Sequence, residues 1–213
     1  MKKAFLILGA VLLAFTALVG ISLGANEALE KTKTSTHVVK QPVRAIVIDV
    51  DVGDVRLVRG GSSVEVRETV EYALNKPTVE RSVQDGVLTI KSECDGVWLF
   101  DCGTDLRVEV PAGVVLQVQT DVGNVKTVGL DSRDVRVKTD VGDVDLDLTG
   151  DVDHVEARTD VGDIDVAVPD AAYSIDTSTD VGDEDVRGVV QDDRAARTIV
   201  AGTDVGDVDI HGR

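Results

Sequence analysis

The residues best placed by type and spacing to do chemistry are aspartates. Asp51-Val-Gly-Asp, Asp121-Val-Gly-Asn, Asp140-Val-Gly-Asp, Asp160-Val-Gly-Asp, Asp180-Val-Gly-Asp and Asp204-Val-Gly-Asp recur, with leading aspartates 70, 19, 20, 20 and 24 residues apart. If each repeat is one β rung, Asp140, Asp160, Asp180 and Asp204 form one outward column. Asp143, Asp163, Asp183 and Asp207 form a second, and Asp145, Asp165, Asp185 and Asp209 a third. Rungs stack about 4.8 Å apart. Carboxylates at that separation repel by about 1 kcal/mol in water and by several times that at a protein surface.

Two compensations are open. Ca²⁺ takes several carboxylate and carbonyl oxygens, which would make the first two columns its ligands. Alternatively, each Asp accepts local backbone N–H bonds in an Asx-turn, with Lys138, Arg158 and Arg187 screening the remainder. Calcium-binding β-rolls use a nonapeptide Gly-rich repeat, which this chain lacks. Arg56, Asn124 and Lys126 interrupt the columns in the earlier rungs, so a metal would favour the carboxyl-terminal half.

Other chemistry is sparse. His37, His154 and His211 are scattered, with no nucleophile beside them in the sequence, so no catalytic residue is assigned and the chain is expected not to be an enzyme. A polysaccharide-active β-helix enzyme, using clustered aspartates and calcium, is the weaker alternative. Cys94 and Cys102 are eight apart, the wrong spacing for a redox pair, and are expected to form a structural disulfide in an oxidising compartment. With 22 Lys and Arg against 39 Asp and Glu, the net charge of −17 argues against a nucleic-acid partner.

The elements follow from the patterning. Residues 1–24 open with Met1-Lys2-Lys3 and continue without charge from Ala4 to Gly24, long enough to cross a bilayer as an apolar helix. They read as a signal peptide or a signal anchor, which places the remainder outside the cytoplasm, either secreted or held at the membrane by a single span. Residues 25–42 read as a polar tether. Residues 43–113 comprise a first rung and an antiparallel excursion that carries the disulfide and turns at Asp85-Gly86. Residues 114–213 comprise the repeat rungs.

Within a rung, Val135, Val137, Thr139 and Val141 alternate, then Val144, Leu146 and Leu148 resume in the opposite parity. The skip keeps two strands facing one interior across a glycine corner. Val52 and Val161 occupy the same position as Val141 and are likewise expected inside. Thr120, Thr139, Thr159, Thr179 and Thr203 are expected to form an inward hydroxyl ladder, and Glu184 falls at an inward position. The expected architecture is an all-β, single-stranded β-solenoid of about 20-residue rungs, with an antiparallel cap at one end. Its last rung, ending at Ile210, is expected to be the exposed edge and a route to oligomerisation.

The strand from Val87 to Cys94, the second Cys at 102, Leu106-Arg-Val-Glu-Val-Pro-Ala-Gly113 and the rungs that follow resemble the bacterial putative-adhesin family of actinobacterial envelope proteins. The likeness covers about residues 43–213. It implies a secreted or membrane-attached β-solenoid and transfers no catalytic residue. The expected function is an adhesin-like scaffold or binding module that presents an acidic, repetitive surface to an envelope protein, a glycan or a cation. A membrane-anchored sensory ectodomain responding to envelope stress or Ca²⁺ is the alternative.

Overall fold

The computed structural model describes residues 31–94 and 102–213. The apolar segment 1–24 and the first residues of the expected tether lie outside the described residues. So does the whole segment between the cysteines, residues 95–101. Among the described residues no helix is long and apolar enough to cross a membrane.

Nineteen strands account for most of the described residues. The first group is β1 (Lys31–Val39), β2 (Ala45–Val52), β3 (Val55–Arg59), β4 (Val64–Tyr72), β5 (Thr78–Gln84), β6 (Val87–Glu93) and β7 (Cys102–Val110). The repeats begin with β8 (Val115–Val122), β9 (Val125–Val128), β10 (Leu130–Asp131), β11 (Asp134–Val141), β12 (Val144–Thr149), β13 (His154–Val161) and β14 (Ile164–Val168). They end with β15 (Ala172–Val181), β16 (Glu184–Arg187), β17 (Val190–Gln191), β18 (Thr198–Val205) and β19 (Val208–Gly212). β1 occupies residues expected to be tether; it pairs antiparallel with β4 from Lys31↔Tyr72 to Val39↔Val64.

The strands form two mixed sheets over one core. One runs β1-β4-β7-β3-β9-β12-β14-β19-β16, with β10 beside β12; the other runs β17-β15-β18-β13-β11-β8-β2-β6-β5. A corner carries the chain from a strand of the second sheet to a strand of the first, so the repeats stack as two-strand rungs. Alternate residues point inward: Ile46, Ile48, Val135, Leu146, Val155 and Val166 are at most 1% exposed, and they join one buried cluster fed by both sheets. Val and Ile suit this narrow interior because their stiff, branched side chains fit a pleated surface.

Rungs do not stack in chain order. β18 lies between β13 and β15, and β19 between β14 and β16, so residues 198–212 form an internal rung. The exposed edge falls instead on the rung of β15 and β16, which corrects the expectation of a bare final rung. Side-chain polarity explains the order. Ile199, Ala201, Val208 and Ile210 are at most 1% exposed and need cover on both sides, whereas the inward positions of the outer rung include Thr177 and Glu184. Glu184 is exposed and accepts a hydrogen bond from Thr177 Oγ1 at 2.5 Å, so it caps the open end and is not buried in a distorted rung.

At the other end the expected excursion is antiparallel only in its outer strands, because β6 and β7 add a parallel rung beside β2 and β3. β4 pairs antiparallel with β7, and β5 with β6, through a hairpin whose Asp85 and Gly86 have φ of 49° and 75°. Arg81 on β5 forms an ion pair with Glu68 on β4, linking the two covering strands. The Cys94–Cys102 disulfide joins the end of β6 to the start of β7 with Cα atoms 6.0 Å apart.

Candidate functional site

The repeated Thr-Asp-Val-Gly-Asp corners come together as one edge of the stack. Their glycines are close-packed: a Cβ on Gly142 would lie 2.1 Å from the Gly123 carbonyl oxygen, one on Gly162 2.1 Å from that of Gly142, and one on Gly206 2.0 Å from that of Gly162. φ at these glycines is 146–147°, a region that side chains resist. Glycine is therefore required twice over, by backbone angle and by the approach of the neighbouring rung.

The threonines face inward as expected, but their hydroxyls do not bond to one another. Thr139, Thr159 and Thr203 donate to the carbonyls of Gly123, Gly142 and Gly162 at 3.1, 3.0 and 3.0 Å, and Thr179 donates to Gly206 at 2.9 Å. Each hydroxyl thus bonds the corner carbonyl of the adjacent rung, at a net contribution of about 1 kcal/mol apiece.

The second aspartate column is also tied between rungs, and not in local Asx-turns. Asp54 accepts from the backbone N–H of Asn124, Asn124 Oδ1 from Asp143, and Asp143 from Asp163; Asp163 accepts from Asp207, and Asp207 from Asp183, all at 2.9–3.0 Å. Every link is a carboxylate or amide oxygen receiving a backbone donor, which offsets part of the repulsion along the column. Asp105 begins the same ladder by accepting from Asp54 N–H at 2.9 Å.

The first column, Asp140, Asp160, Asp204 and Asp180, lies on the outer face of the second sheet. Lys138 contacts Asp140 at 2.9 Å, while Arg158 turns to Glu156 at 2.9 Å, so the expected screening is only partly made. Crowding desolvates the neighbouring Asp121 carboxyl and raises it above the usual carboxylate range, with Asp140, Asp51 and Asp49 adding to the rise and Lys138 opposing it; the residue remains exposed. Among the described residues no three His, Cys, Asp or Glu side chains converge to hold a metal ion. The eight aspartates considered as Ca²⁺ ligands are thus set in two separate columns, in one of which Asp143, Asp163 and Asp207 each accept a backbone N–H.

The valine between each Asp and Gly corrects the expected parity. Val52, Val122, Val141, Val161, Val205 and Val181 are 37–62% exposed, in register along the outside of the corner. The chain turns at this residue, so the inward alternation ends at the threonine and restarts after the second aspartate. The edge is consequently an apolar ridge with an aspartate column on either side. The repeat itself carried the signal, since a β-branched apolar residue stands at all six corners.

A second grouping escaped the sequence because its members lie far apart in the chain. His154 Nδ1 is 2.7 Å from Thr198 Oγ1, and Asp134 is level with His154 on the adjoining strand. The Asp134 carboxylate is turned to Arg136 at 2.9 Å, so no acid–imidazole–hydroxyl relay is assembled.

No protein-family model matches the chain, and no curated protein matches it. Solved structures do. A putative cell adhesion protein from Clostridium sporogenes is similar at TM-score 0.65 and 16% identity, over 86% of this chain and all of that one. Putative adhesins from Bacteroides fragilis (13% identity, 84% and 97% coverage, TM-score 0.41) and Parabacteroides merdae (18%, 86% and 95%, 0.39) are similar more remotely. The first likeness establishes a shared fold.

Proposed function

We propose that this chain is an extracytoplasmic, non-enzymatic, adhesin-like binding module that meets its partner along the corner edge. The observation that carries the reading is the column of six exposed valines. A repeat that needed only a turn would gain nothing from an apolar residue on its outer side, and a continuous apolar stripe rimmed by charge is how interaction surfaces are built. The flanking aspartates set the partner's chemistry as an extended segment with apolar and cationic groups in alternation.

The fold shared with the clostridial protein supports the adhesin-like part of this reading, and the disulfide supports an oxidising, extracytoplasmic setting. Membrane attachment through residues 1–24 belongs to the same proposal. The test uses the purified full chain and two labelled peptides, one alternating Val with Lys and one alternating Val with Glu, followed by fluorescence anisotropy. The Val-Lys peptide should bind, and a protein carrying V122S, V141S, V161S and V205S should lose that binding while melting close to the parent temperature. Equal signals from both peptides, or undiminished binding by the quadruple variant, would refute the reading.

A further inference from the structure

The outer face of the first sheet carries a second surface of opposite charge. In register on four adjacent strands stand Arg67 of β4, Arg107 of β7, Arg56 of β3 and Lys126 of β9. The same column continues through Asp145, Asp165, Asp209 and Asp185. One row of outward side chains thus reads four cations and then four anions.

The two halves differ in how they are satisfied. On the acidic side Asp145 is paired with Lys126, Asp165 with His211 at 3.2 Å, Asp209 with Arg187 at 3.0 Å, and Asp185 with Arg187 as well. On the basic side Arg56, Arg67 and Arg107 are exposed, and none forms an ion pair among the described residues. That is unexpected in a chain with 39 acidic residues. Like charges one strand spacing apart repel, and the repulsion persists unless an anion sits between them.

The four cations line one cleft of about 490 Å³. Asp54 and Asp105 also border it, but one carboxylate oxygen of each is engaged by a backbone N–H of the corner ladder. Glu65 and Glu109 stand beside Arg67 and Arg107 in the next column and line a separate depression with them.

We propose that this cleft binds an extended polyuronate or polyol-phosphate polymer whose carboxylate or phosphate groups are taken by Arg67, Arg107 and Arg56, with Lys126, paired to Asp145, at the end of the row. Guanidinium forks suit either group, because both offer two oxygens to parallel N–H donors. Three guanidinium groups at strand spacing, none in an ion pair among the described residues, select a polymer with a charge recurring every few ångströms over a single small anion. A second copy of the chain, docking its acidic half here, is the less suited occupant because Asp145, Asp185 and Asp209 are already paired with Lys126 and Arg187. The site lies on a different face from the valine ridge, so it stands or falls separately from the corner-edge reading.

Titration calorimetry of the full chain tests the proposal with three probes: a polygalacturonate oligomer, a poly(glycerol phosphate) oligomer, and the methyl-esterified, neutral form of the first. The charged oligomers should bind, with affinity falling as salt is raised, and the neutral ester should not. Binding to one charged oligomer alone would identify carboxylate or phosphate as the source. The variant carrying R56Q, R67Q and R107Q should bind at least about tenfold more weakly, the expected result of removing three exposed charge contacts. A charge-matched control carrying R133Q, R136Q and R158Q should bind as the parent does. Equal loss in both variants, binding of the neutral ester, or no binding combined with self-association that the first variant abolishes would each overturn it.

Discussion

The interior rungs and the end rungs solve the same corner differently. In the interior rungs of β11–β12, β13–β14 and β18–β19 the corner is Thr-Asp-Val-Gly-Asp, with the glycine pressed against the carbonyl of its neighbour. In the rung of β6 and β7 the register places Thr104 level with Gly53, no Asp-Val-Gly-Asp sequence is present, and the Cys94–Cys102 disulfide links the two strands. Ser92, level with Val50, hydrogen-bonds Thr104 at 2.8 Å, in place of the threonine-to-glycine bond of the repeats. At the far end, the rung of β15 and β16 keeps the glycine corner but turns polar inside. The repeat is thus a stacking device: where stacking stops, its residues are replaced or its interior becomes wet.

The sharpest way to break the comparison is to place a methyl group at an interior and an end corner in turn. Gly142→Ala meets a carbonyl at 2.1 Å and an unfavourable φ, and it should cost about 3 kcal/mol or more in chemical denaturation. Gly103→Ala, whose nearest contact would be Val52 O at 3.6 Å, should cost less than about 0.5 kcal/mol. Similar losses at both positions would dissolve the distinction.

Removing the disulfide by C94S and C102S should cost about 2 to 3 kcal/mol, because it restores freedom to a short loop of the unfolded chain. Glu184→Val should barely change the melting temperature yet produce concentration-dependent association in sedimentation velocity, since it makes the open end apolar. A monomeric variant would show that the end is protected by something else.

The smallest effect concerns Asp121. Its carboxyl is raised in the folded chain relative to the unfolded one, so ionisation at neutral pH disfavours the fold; the penalty is relieved as pH falls through the raised value, and relief is complete below the ordinary carboxylate range. Asp121→Asn should therefore raise the melting temperature slightly at pH 7 and leave it unchanged near pH 3. For the columns as a whole, Ca²⁺ should stabilise no more than Mg²⁺ at matched ionic strength, because the second column already receives backbone donors.

Much of this architecture was legible in the residues. The 20-residue period located the corners, the parity change located the paired strands, and the cysteine spacing located the bridge. Three features were not. The outward turn of Val141 was hidden because period-two alternation says nothing about the residue at which a corner bends. The order of the rungs was hidden because every corner offers the same hydrogen-bonding groups, so any rung can follow any other. What decides the order is which interior tolerates water, and Thr177 and Glu184, together with the longer spacing between Asp180 and Asp204, were the available signals. The basic cleft was hidden for a related reason: Arg56, Arg67 and Arg107 converge only when the excursion folds back.

The insertion of the last rung between the two preceding ones can be tested by paired cysteines on the valine ridge, with the native bridge intact. Val161 and Val205 are register partners, as are Val181 and Val205, whereas Val161 and Val181 stand two rungs apart, about 9.6 Å at the usual strand spacing and beyond disulfide reach. Under mild oxidation, V161C with V205C and V181C with V205C should cross-link rapidly, and V161C with V181C should not. Rapid cross-linking of V161C with V181C, and none of V161C with V205C, would mean that the rungs follow chain order and would contradict this account.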